Sequence, residues 1–551
     1  MSLARRLARR EILELPPVDI AAQANEAFAA DAVKLDANEN PFAPLVEGAM
    51  AATVNRYPEP QPAALRRAMA ALYGVEPRNL VVTRGADDAI DILIRSFCRP
   101  GVDHISVCQP TFSAYAQFAR LQGAGVIETK LDSNFDFDPE AFLEAVAGEA
   151  DLKLAFICAP NNPTGNLVPA ADILRVVDAL PDTIVVLDEA YIEFSDAPSL
   201  AAEAGRRENL VVLRTLSKAF GLAGARVGCA IGNEELIALI TRALPPYPMP
   251  SLSIQAALST LSPSRRPLHL ERIERLKADR ERLAGLLRQS PLVTGVRSGG
   301  ANFLFLEVED AGALAAKMHG LGIRVRFRPN AAPGGVRLTI GNDVENKAAL
   351  AAFGVALDGP PERRGDVIRD TKETRIAVAV DLDRAEPRRI DTGIAFFDHM
   401  LDQIAAHGGF SLNLACEGDL EIDAHHSLED CALAFGSALS KALGDRRGIG
   451  RFGFSLPMDE TEAHVLIDLS GRPFSQFVGD FEASHIGAYP TEMTEHIFRS
   501  LADSLGASIH VRVTGENDHH KTEACFKAFG RALRQAVKRE GDALPSTKGV
   551  L

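Results

Sequence analysis

Two stretches near the C-terminal end of the chain share one pattern, His-His-x-x-Glu: His425-His426-Ser427-Leu428-Glu429 and His519-His520-Lys521-Thr522-Glu523. The match continues through Cys431 and Cys525, Phe435-Gly436 and Phe529-Gly530, and Ala438-Leu439 and Ala532-Leu533. Each copy also has an upstream histidine behind an acid, Asp398-His399 and Glu495-His496. Such repetition marks one structural unit used twice. A single copy would carry little weight; two copies with matching flanks carry much more. Imidazoles and carboxylates without thiolates suit Mn, Fe or Zn rather than Ca or a cysteine-rich structural zinc site. Four ligands close a structural zinc site, so this larger set implies open, catalytic positions around a pair of ions. Within each copy the second His and the Glu are three apart, which predicts a shared helix face if a helix starts there. The first His is then left to reach another ion or another subunit.

A second set of reactive types lies further upstream. Thr215-Leu216-Ser217-Lys218-Ala219-Phe220-Gly221 follows the apolar run Leu210–Leu213. Asp188-Glu189-Ala190-Tyr191 closes the run Thr183–Leu187, and Pro160-Asn161-Asn162-Pro163-Thr164-Gly165 closes Leu154–Cys158. A lysine amine can form a Schiff base with a carbonyl and then move a proton. A buried carboxylate can pair with the nitrogen of a cofactor ring. Gly85-Ala86-Asp87 opens a helical pattern after a strand, where backbone N–H groups bind phosphate. Each motif alone is an ordinary turn or surface lysine; their order and separation give them meaning.

These residues need rigid elements to hold them. Strands are predicted at Asn79–Thr83, His104–Cys108, Leu154–Cys158, Thr183–Leu187, Leu210–Leu213 and Val227–Ile231, with helical stretches such as Asp87–Phe97 and Pro169–Leu180 between. That alternation predicts an open α/β sheet with crossover helices. The Gly/Pro/Arg segment from Asp358 to Gly365 reads as a linker. Beyond it Thr374–Val380 alternates like a half-buried strand, and the two duplicated strand-then-helix units follow. The expected domains are 1–357 and 367–551, with a linker at 358–366. At 551 residues the chain exceeds a single core. A net charge of −15 argues against general nucleic-acid or membrane-surface binding, so any anionic substrate needs local Arg and Lys. Seven cysteines without a CxxC pair fit a reducing compartment, and no apolar run approaches a membrane span. Met1–Leu15 reads as an amphipathic helix rather than a secretory signal, and a cytoplasmic location is expected.

The upstream motifs together resemble the fold-type-I aminotransferases that use pyridoxal 5'-phosphate. Within that group the chain resembles histidinol-phosphate aminotransferase through Leu35-Asp36-Ala37-Asn38-Glu39-Asn40-Pro41, Arg56-Tyr57-Pro58 and Val336-Arg337-Leu338-Thr339-Ile340-Gly341. The resemblance implies an α/β PLP-dependent transferase fold with a large and a small domain. It implies Lys218 as the Schiff-base lysine, Asp188 at the ring nitrogen, Tyr191 and Asn162 at the ring hydroxyl, and Phe112 stacked on the ring. Ala86, Asp87, Ser217 and Arg226 fall at the phosphate. It implies a dimer in which Tyr57 reaches the phosphate of the neighbour's cofactor. Arg337, with Arg326, is implied to clamp the glutamate carboxylate or the substrate phosphate. Arg324, Arg326 and Arg328 alternate along one predicted strand, so a solvated basic face fits Arg326 almost as well. Ala86 departs from the small hydroxyl residue many relatives carry.

Residues 367–551 resemble imidazoleglycerol-phosphate dehydratase. The carriers include Thr371-Lys372-Glu373-Thr374, Phe397-Asp398-His399-Met400-Leu401-Asp402-Gln403, Ser470-Gly471-Arg472-Pro473, Glu492-Met493-Thr494-Glu495-His496 and the tail Pro545–Leu551. The resemblance implies an α+β domain built from two duplicated strand-helix halves, assembled as a 24-mer with sites between subunits and two Mn²⁺ per site. The implied ligands are His399, His425, His426, Glu429, His496, His519, His520 and Glu523. Arg451, Arg472, Lys527, Ser546 and Lys548 match phosphate-binding positions; Gln403 and His407 match substrate contacts. Glu373 matches an acid near the reacting carbons and is expected to transfer a proton there. His464, His485 and His510 are read as non-ligands. The dehydratase product would be the amino acceptor of the aminotransferase, so the two resemblances together imply a bifunctional enzyme of histidine biosynthesis. The alternatives are an aromatic aminotransferase fused to a different metal-dependent lyase, or to a metal-binding scaffold.

Overall fold

The computed structural model of the chain describes residues 33–34, 58–327, 334–356, 362–453, 457–458 and 460–546. The chain divides into two compact units, one built on Met50–Leu261 with Arg272–Gly359, the other on Ser262–Glu271 with Pro360–Leu551. Ser262–Glu271 groups with the second unit because the Ser264 N–H donates to Glu417 (2.7 Å) and the Arg265 guanidinium meets the Asp370 carboxylate. The amphipathic helix expected at Met1–Leu15 lies outside the described residues.

Seven strands form the central sheet of the first unit: β1 (Leu80–Thr83), β2 (His104–Gln109), β3 (Gly125–Lys130), β4 (Leu152–Cys158), β5 (Ile184–Asp188), β6 (Leu210–Thr215) and β7 (Gly228–Ile231). Their order is β1-β7-β6-β5-β4-β2-β3. All pairings are parallel except those of β7, which runs antiparallel to β1 and β6. Every residue of β6 is buried, as expected of a strand covered on both faces. β3 escapes the sequence reading because it is an edge strand whose residues are mostly half-exposed, giving neither a continuous nor an alternating apolar pattern.

A smaller sheet holds β8 (Gly295–Ser298), β9 (Phe303–Glu307), β10 (Arg326–Phe327) and β11 (Gly335–Thr339) in the order β10-β11-β9-β8, antiparallel throughout. The single strand predicted for Arg324, Arg326 and Arg328 is corrected. Ile323–Arg324 pairs with Val33–Lys34, whereas Arg326–Phe327 pairs with β11, so the chain changes sheets around buried Val325. Arg328 lies outside the described residues.

The second unit repeats one topology. Its first sheet holds β12 (Arg364–Asp370), β13 (Thr374–Asp381), β14 (Arg388–Asp391) and β15 (Ser411–Gly418) in the order β12-β13-β15-β14. Its second holds β16 (Phe452–Gly453), β17 (Thr461–Asp468), β18 (Phe474–Val478) and β19 (Ser508–Thr514) in the order β16-β17-β19-β18, with Pro457–Met458 also pairing to β17. In both sheets the inner pair is antiparallel and the last strand is parallel to its neighbour. β12 starts at Arg364, inside the expected linker, because Arg364 pairs in register and by charge with Asp381.

Among the described residues the unit also holds the helices α2 (Ala395–Gly408), α3 (His425–Leu443), α4 (Met493–Leu505) and α5 (Asp518–Ala536), while α1 (Ala86–Phe97) belongs to the first unit. α3 packs on α4 and α5 packs on α2, around fully buried Phe397, Phe435, Phe498 and Phe529. The repeated Phe-Gly explains how closely they approach. A Cβ at Gly436 would fall 3.2 Å from the Leu501 carbonyl of α4, and one at Gly530 would fall 2.6 Å from the Ile404 carbonyl of α2. Each helix of one half therefore lies against the other half, and this crossing sets the chemistry described next.

Candidate active sites

The candidate residues of the first unit gather at the C-terminal ends of its parallel strands, where open α/β sheets bind ligands. Asp188 ends β5, Asn162 follows β4, Phe112 follows β2, and Ser217 and Lys218 follow β6. Asp188 is buried; its Oδ2 accepts a 2.6 Å bond from the Tyr115 hydroxyl and its Oδ1 a 3.1 Å bond from the Ala190 N–H. Burial pushes the Asp188 carboxyl up to about 6, against the opposing pull of those two donors. Tyr191 and Asn162 are neighbours: the Asn162 amide donates to the Tyr191 hydroxyl at 3.5 Å, and Arg337 donates to the Asn162 carbonyl at 2.5 Å. The Lys218 ammonium lies 5.9 Å from the centre of the Tyr191 ring. Lys218, Tyr191, Asn162 and Arg337 thus form one continuous wall. Arg326 stands opposite Arg337 in register across the small sheet.

At the start of α1, Gly85 has φ +82°, and a Cβ there would lie 2.7 Å from the Arg226 guanidinium. Arg226 pairs with Asp87 at 2.9 Å, and the Thr215 hydroxyl bonds that of Ser217 at 2.9 Å. The first N–H groups of α1 and the Arg226 guanidinium lie together here, donor types that suit a phosphate. Phe112 meets Tyr115 edge-on at 5.6 Å. Tyr57 lies outside the described residues.

Two contributors are absent from the sequence reading. Tyr115, fully buried and stacked on Phe156, reads as an ordinary core aromatic. Arg214 is the other, and it had a signal: a charge inside an otherwise apolar strand. Its guanidinium pairs with Glu189 (3.1 Å) and Glu193 (2.7 Å), while Glu189 also accepts the Leu200 N–H at 2.8 Å. Together they pin the turn that carries Asp188 and Tyr191.

In the second unit the helix crossing assembles two groups of ligand types, each drawn from both halves. His425, Glu429 and His496 each present one ligand atom, all within 4.8 Å of one another. His425 Nε2 lies 3.6 Å from Glu429, and the His425 and His496 rings are 5.1 Å apart. In the second group Glu523 lies 3.6 Å from His399 Nε2 and 3.5 Å from His519 Nε2. Burial pulls the Glu523 carboxyl up, but Lys527 at 2.8 Å, with His399 and His519, outweighs it and holds it below its ordinary value. The upstream histidine of each half therefore joins the His-His-x-x-Glu of the other half. Two imidazoles with a carboxylate suit a divalent first-row ion such as Mn, Fe or Zn.

One expectation is corrected. The first His, not the second, shares a face with the Glu. Asp423 accepts the His425 N–H (2.7 Å) and Asn517 accepts the N–H groups of His519 (2.9 Å) and His520 (3.4 Å), so both helices start at the first His or one residue before it. Positions i and i+4 then stack, and the second His is rotated by about 100°. His426 turns instead to Asp419 and His520 to Glu460.

The remaining positions surround these groups unevenly. Gln403 lies 3.5 Å from His399 Nδ1. His407 has its pKa lowered by burial, then by Arg531 and Lys527. Arg451 makes a two-pronged bond to Asp468 (2.6 and 3.1 Å) and donates to the Pro545 carbonyl. Arg472 is exposed and Ser546 half-buried, while Lys548 lies outside the described residues. Glu373 is exposed in the turn before β13 and adds to the negative charge that raises the His426 pKa. His464, His485 and His510 bond Glu462, Ser484 and Gln476.

Comparison with known proteins matches two separate stretches of the chain. Residues 30–353 match the family model for aminotransferase class I and II, and residues 392–533 match that for imidazoleglycerol-phosphate dehydratase. A protein of Stenotrophomonas maltophilia (strain R551-3), named histidine biosynthesis bifunctional protein HisB, is 60% identical over 185 residues, which is 34% of this chain and 52% of that protein. The chain spans about half the length of the curated relatives it matches. The histidinol-phosphate aminotransferase of Sinorhizobium meliloti, solved with pyridoxal-5'-phosphate, superposes with a TM-score of 0.56 at 23% identity, covering 63% of this chain and 96% of that one. That of Clostridium acetobutylicum gives 0.53 at 23% identity, covering 58% and 98%. At that identity the likeness establishes the fold.

Proposed function

The chain belongs to the class I and II aminotransferase family, and on that premise we propose that it is a bifunctional enzyme of histidine biosynthesis. It dehydrates D-erythro-imidazoleglycerol phosphate to imidazole acetol phosphate, then transaminates that ketone with L-glutamate to L-histidinol phosphate. The observation that carries the reading is the pair of crossed His/His/Glu groups in a chain whose other unit has an aminotransferase fold.

Pyridoxal 5'-phosphate fits the first unit. Buried Asp188 would pair with the ring nitrogen, Tyr191 and Asn162 would bond the ring hydroxyl, and Phe112 would cover the ring face. The N–H groups of Ala86 and Asp87, with Ser217 and Arg226, take the phosphate. The bound cofactor supplies a ring that takes up the electron pair left when the amino-acid Cα loses its proton. Lys218 carries that proton, removing it from Cα and returning it on the other side of the exchange. Tyr115 and the Ala190 N–H keep the Asp188 carboxylate aimed and charged. Arg337 and Arg326 hold the substrate's anionic end, and Tyr57 completes the phosphate site of a neighbouring copy in a dimer.

In the second unit His425, Glu429 and His496 would hold one divalent ion, and His399, His519 and Glu523 the other. His426 and His520 extend these groups in neighbouring copies, in a 24-mer. Two Mn²⁺ per site, when bound, would supply Lewis-acid stabilisation of charge on the substrate's imidazole ring. Arg451, Arg472, Lys527, Ser546 and Lys548 bind the phosphate, and Gln403 and His407 orient the ring and chain. Glu373 moves the proton at carbon or at the departing oxygen. A cytoplasmic location for both reactions is part of this proposal.

Chelation separates the two activities. After EDTA treatment, dehydration is expected to stop and to return with Mn²⁺, while transamination of added imidazole acetol phosphate persists. Dehydration that survives complete metal removal would contradict the reading.

A further inference from the structure

His426 and His520 occupy the same place in the repeated pattern, and neither belongs to the His425/Glu429/His496 group or to the contacts of Glu523 with His399 and His519. Each faces a carboxylate through the same nitrogen. Asp419 places its two oxygens 3.2 and 3.0 Å from His426 Nδ1, and Glu460 places both of its oxygens 3.0 Å from His520 Nδ1. A carboxylate can only accept, so Nδ1 carries the hydrogen in both rings. In the neutral imidazole the lone pair is then on Nε2. That matches His399, His425 and His519, which also present Nε2 to their glutamates.

The acids do not come from corresponding positions. Asp419 follows Gly418 at the end of β15, seven residues before its histidine. Its counterpart after β19 and Gly515 is Glu516, yet the acid that faces His520 is Glu460, just before β17 and sixty residues away in sequence. One Nδ1–carboxylate geometry has thus been reached twice from different elements. An inherited flank does not produce that; a requirement on the histidine does. A carboxylate behind a metal-bound imidazole fixes its tautomer and orientation and raises its basicity.

We propose that Asp419 and Glu460 are positioning residues that hold His426 and His520 as Nε2 donors to divalent ions. The proposal rests on the two-metal reading above. One chain offers two His/His/Glu groups and two such histidines, one for each group, so each acid governs a different ion. Both pairs are partly exposed, about a third of each imidazole being accessible, so their loss costs the fold little.

The experiment measures Mn²⁺ uptake by the full chain, stripped of metal, for wild type, Asp419→Asn, Glu460→Gln and the double variant. Equilibrium dialysis gives stoichiometry and affinity, and thermal melts of the metal-free chains report folding. Wild type should take up two ions per chain. Each single variant should keep one ion at wild-type affinity and bind the other about 10- to 100-fold more weakly. The double variant should be weak at both, with melting unchanged in all. Unchanged affinities in both single variants would overturn the proposal alone. A wild-type chain that takes up no Mn²⁺ would overturn it together with the metal reading beneath it.

Discussion

Replacing Glu373 by Gln should lower dehydratase turnover by roughly 10²- to 10⁴-fold while leaving metal content and transamination intact. The proton to be lost sits on a carbon with no neighbouring carbonyl, so metal-held imidazole can stabilise the charge but something must still carry the proton. Glu373 suits that task by place and by exposure. It lies in the short turn between β12 and β13, exposed, with its N–H bonded to Thr371 Oγ1 at 3.2 Å. Its charge is felt at His426, the second histidine of the first repeat, which faces Asp419. Glutamine keeps the shape and removes the proton-accepting oxygen. Since none of the converging ligand groups includes Glu373, Mn²⁺ uptake should match wild type. Single-turnover kinetics beside metal analysis checks this; wild-type turnover in the variant would remove Glu373 from the mechanism.

Asp188→Asn should do two opposite things. It should cut transamination by roughly 10²- to 10³-fold, because a neutral amide cannot stabilise positive charge on the cofactor ring. It should also stabilise the cofactor-free chain. The carboxyl has an ordinary value of 3.8, and burial raises it to about 6 in the folded state. The folded chain therefore holds this proton more tightly than the unfolded chain, and the associated stability is complete below about pH 4. It is lost as pH rises through 6, an effect on the order of 3 kcal/mol. Asparagine never ionises, and its amide can still meet Tyr115 and the Ala190 N–H. The cofactor-free variant should melt above wild type at pH 8, with the gap closing toward pH 4. Equal or lower melting at pH 8 would show that Asp188 does not carry a buried charge there.

That trade-off illustrates which features sequence reading can reach. Strands β4, β5 and β6 were legible because their apolar runs end in Asn162, Asp188 and Ser217-Lys218, residues that have no place in a core. Tyr115 was not, because a buried tyrosine and one that orients a carboxylate look the same until the fold brings positions 115 and 188 together. The duplicated histidine motif was legible as a repeat of ligand-type residues, but its internal pairing was misassigned. Spacing of three and of four both fit one helix face, and only the helix starts, where Asp423 and Asn517 accept the N–H groups of the first histidines, decide between them. The crossing that joins His399 to Glu523 and His496 to Glu429 depends on helices packed across halves, which no local pattern encodes. Arg324 and Arg326 fail for a related reason: their alternation is real, but a change of sheet falls between them.

The most direct measurement is a one-pot reaction of the purified full chain with imidazoleglycerol phosphate, L-glutamate, Mn²⁺ and pyridoxal phosphate, followed by product analysis. Wild type should yield L-histidinol phosphate. A parallel Lys218→Ala sample should consume the same substrate and stop at imidazole acetol phosphate. If neither sample consumes imidazoleglycerol phosphate, or if Lys218→Ala still forms histidinol phosphate, the two-step assignment is contradicted.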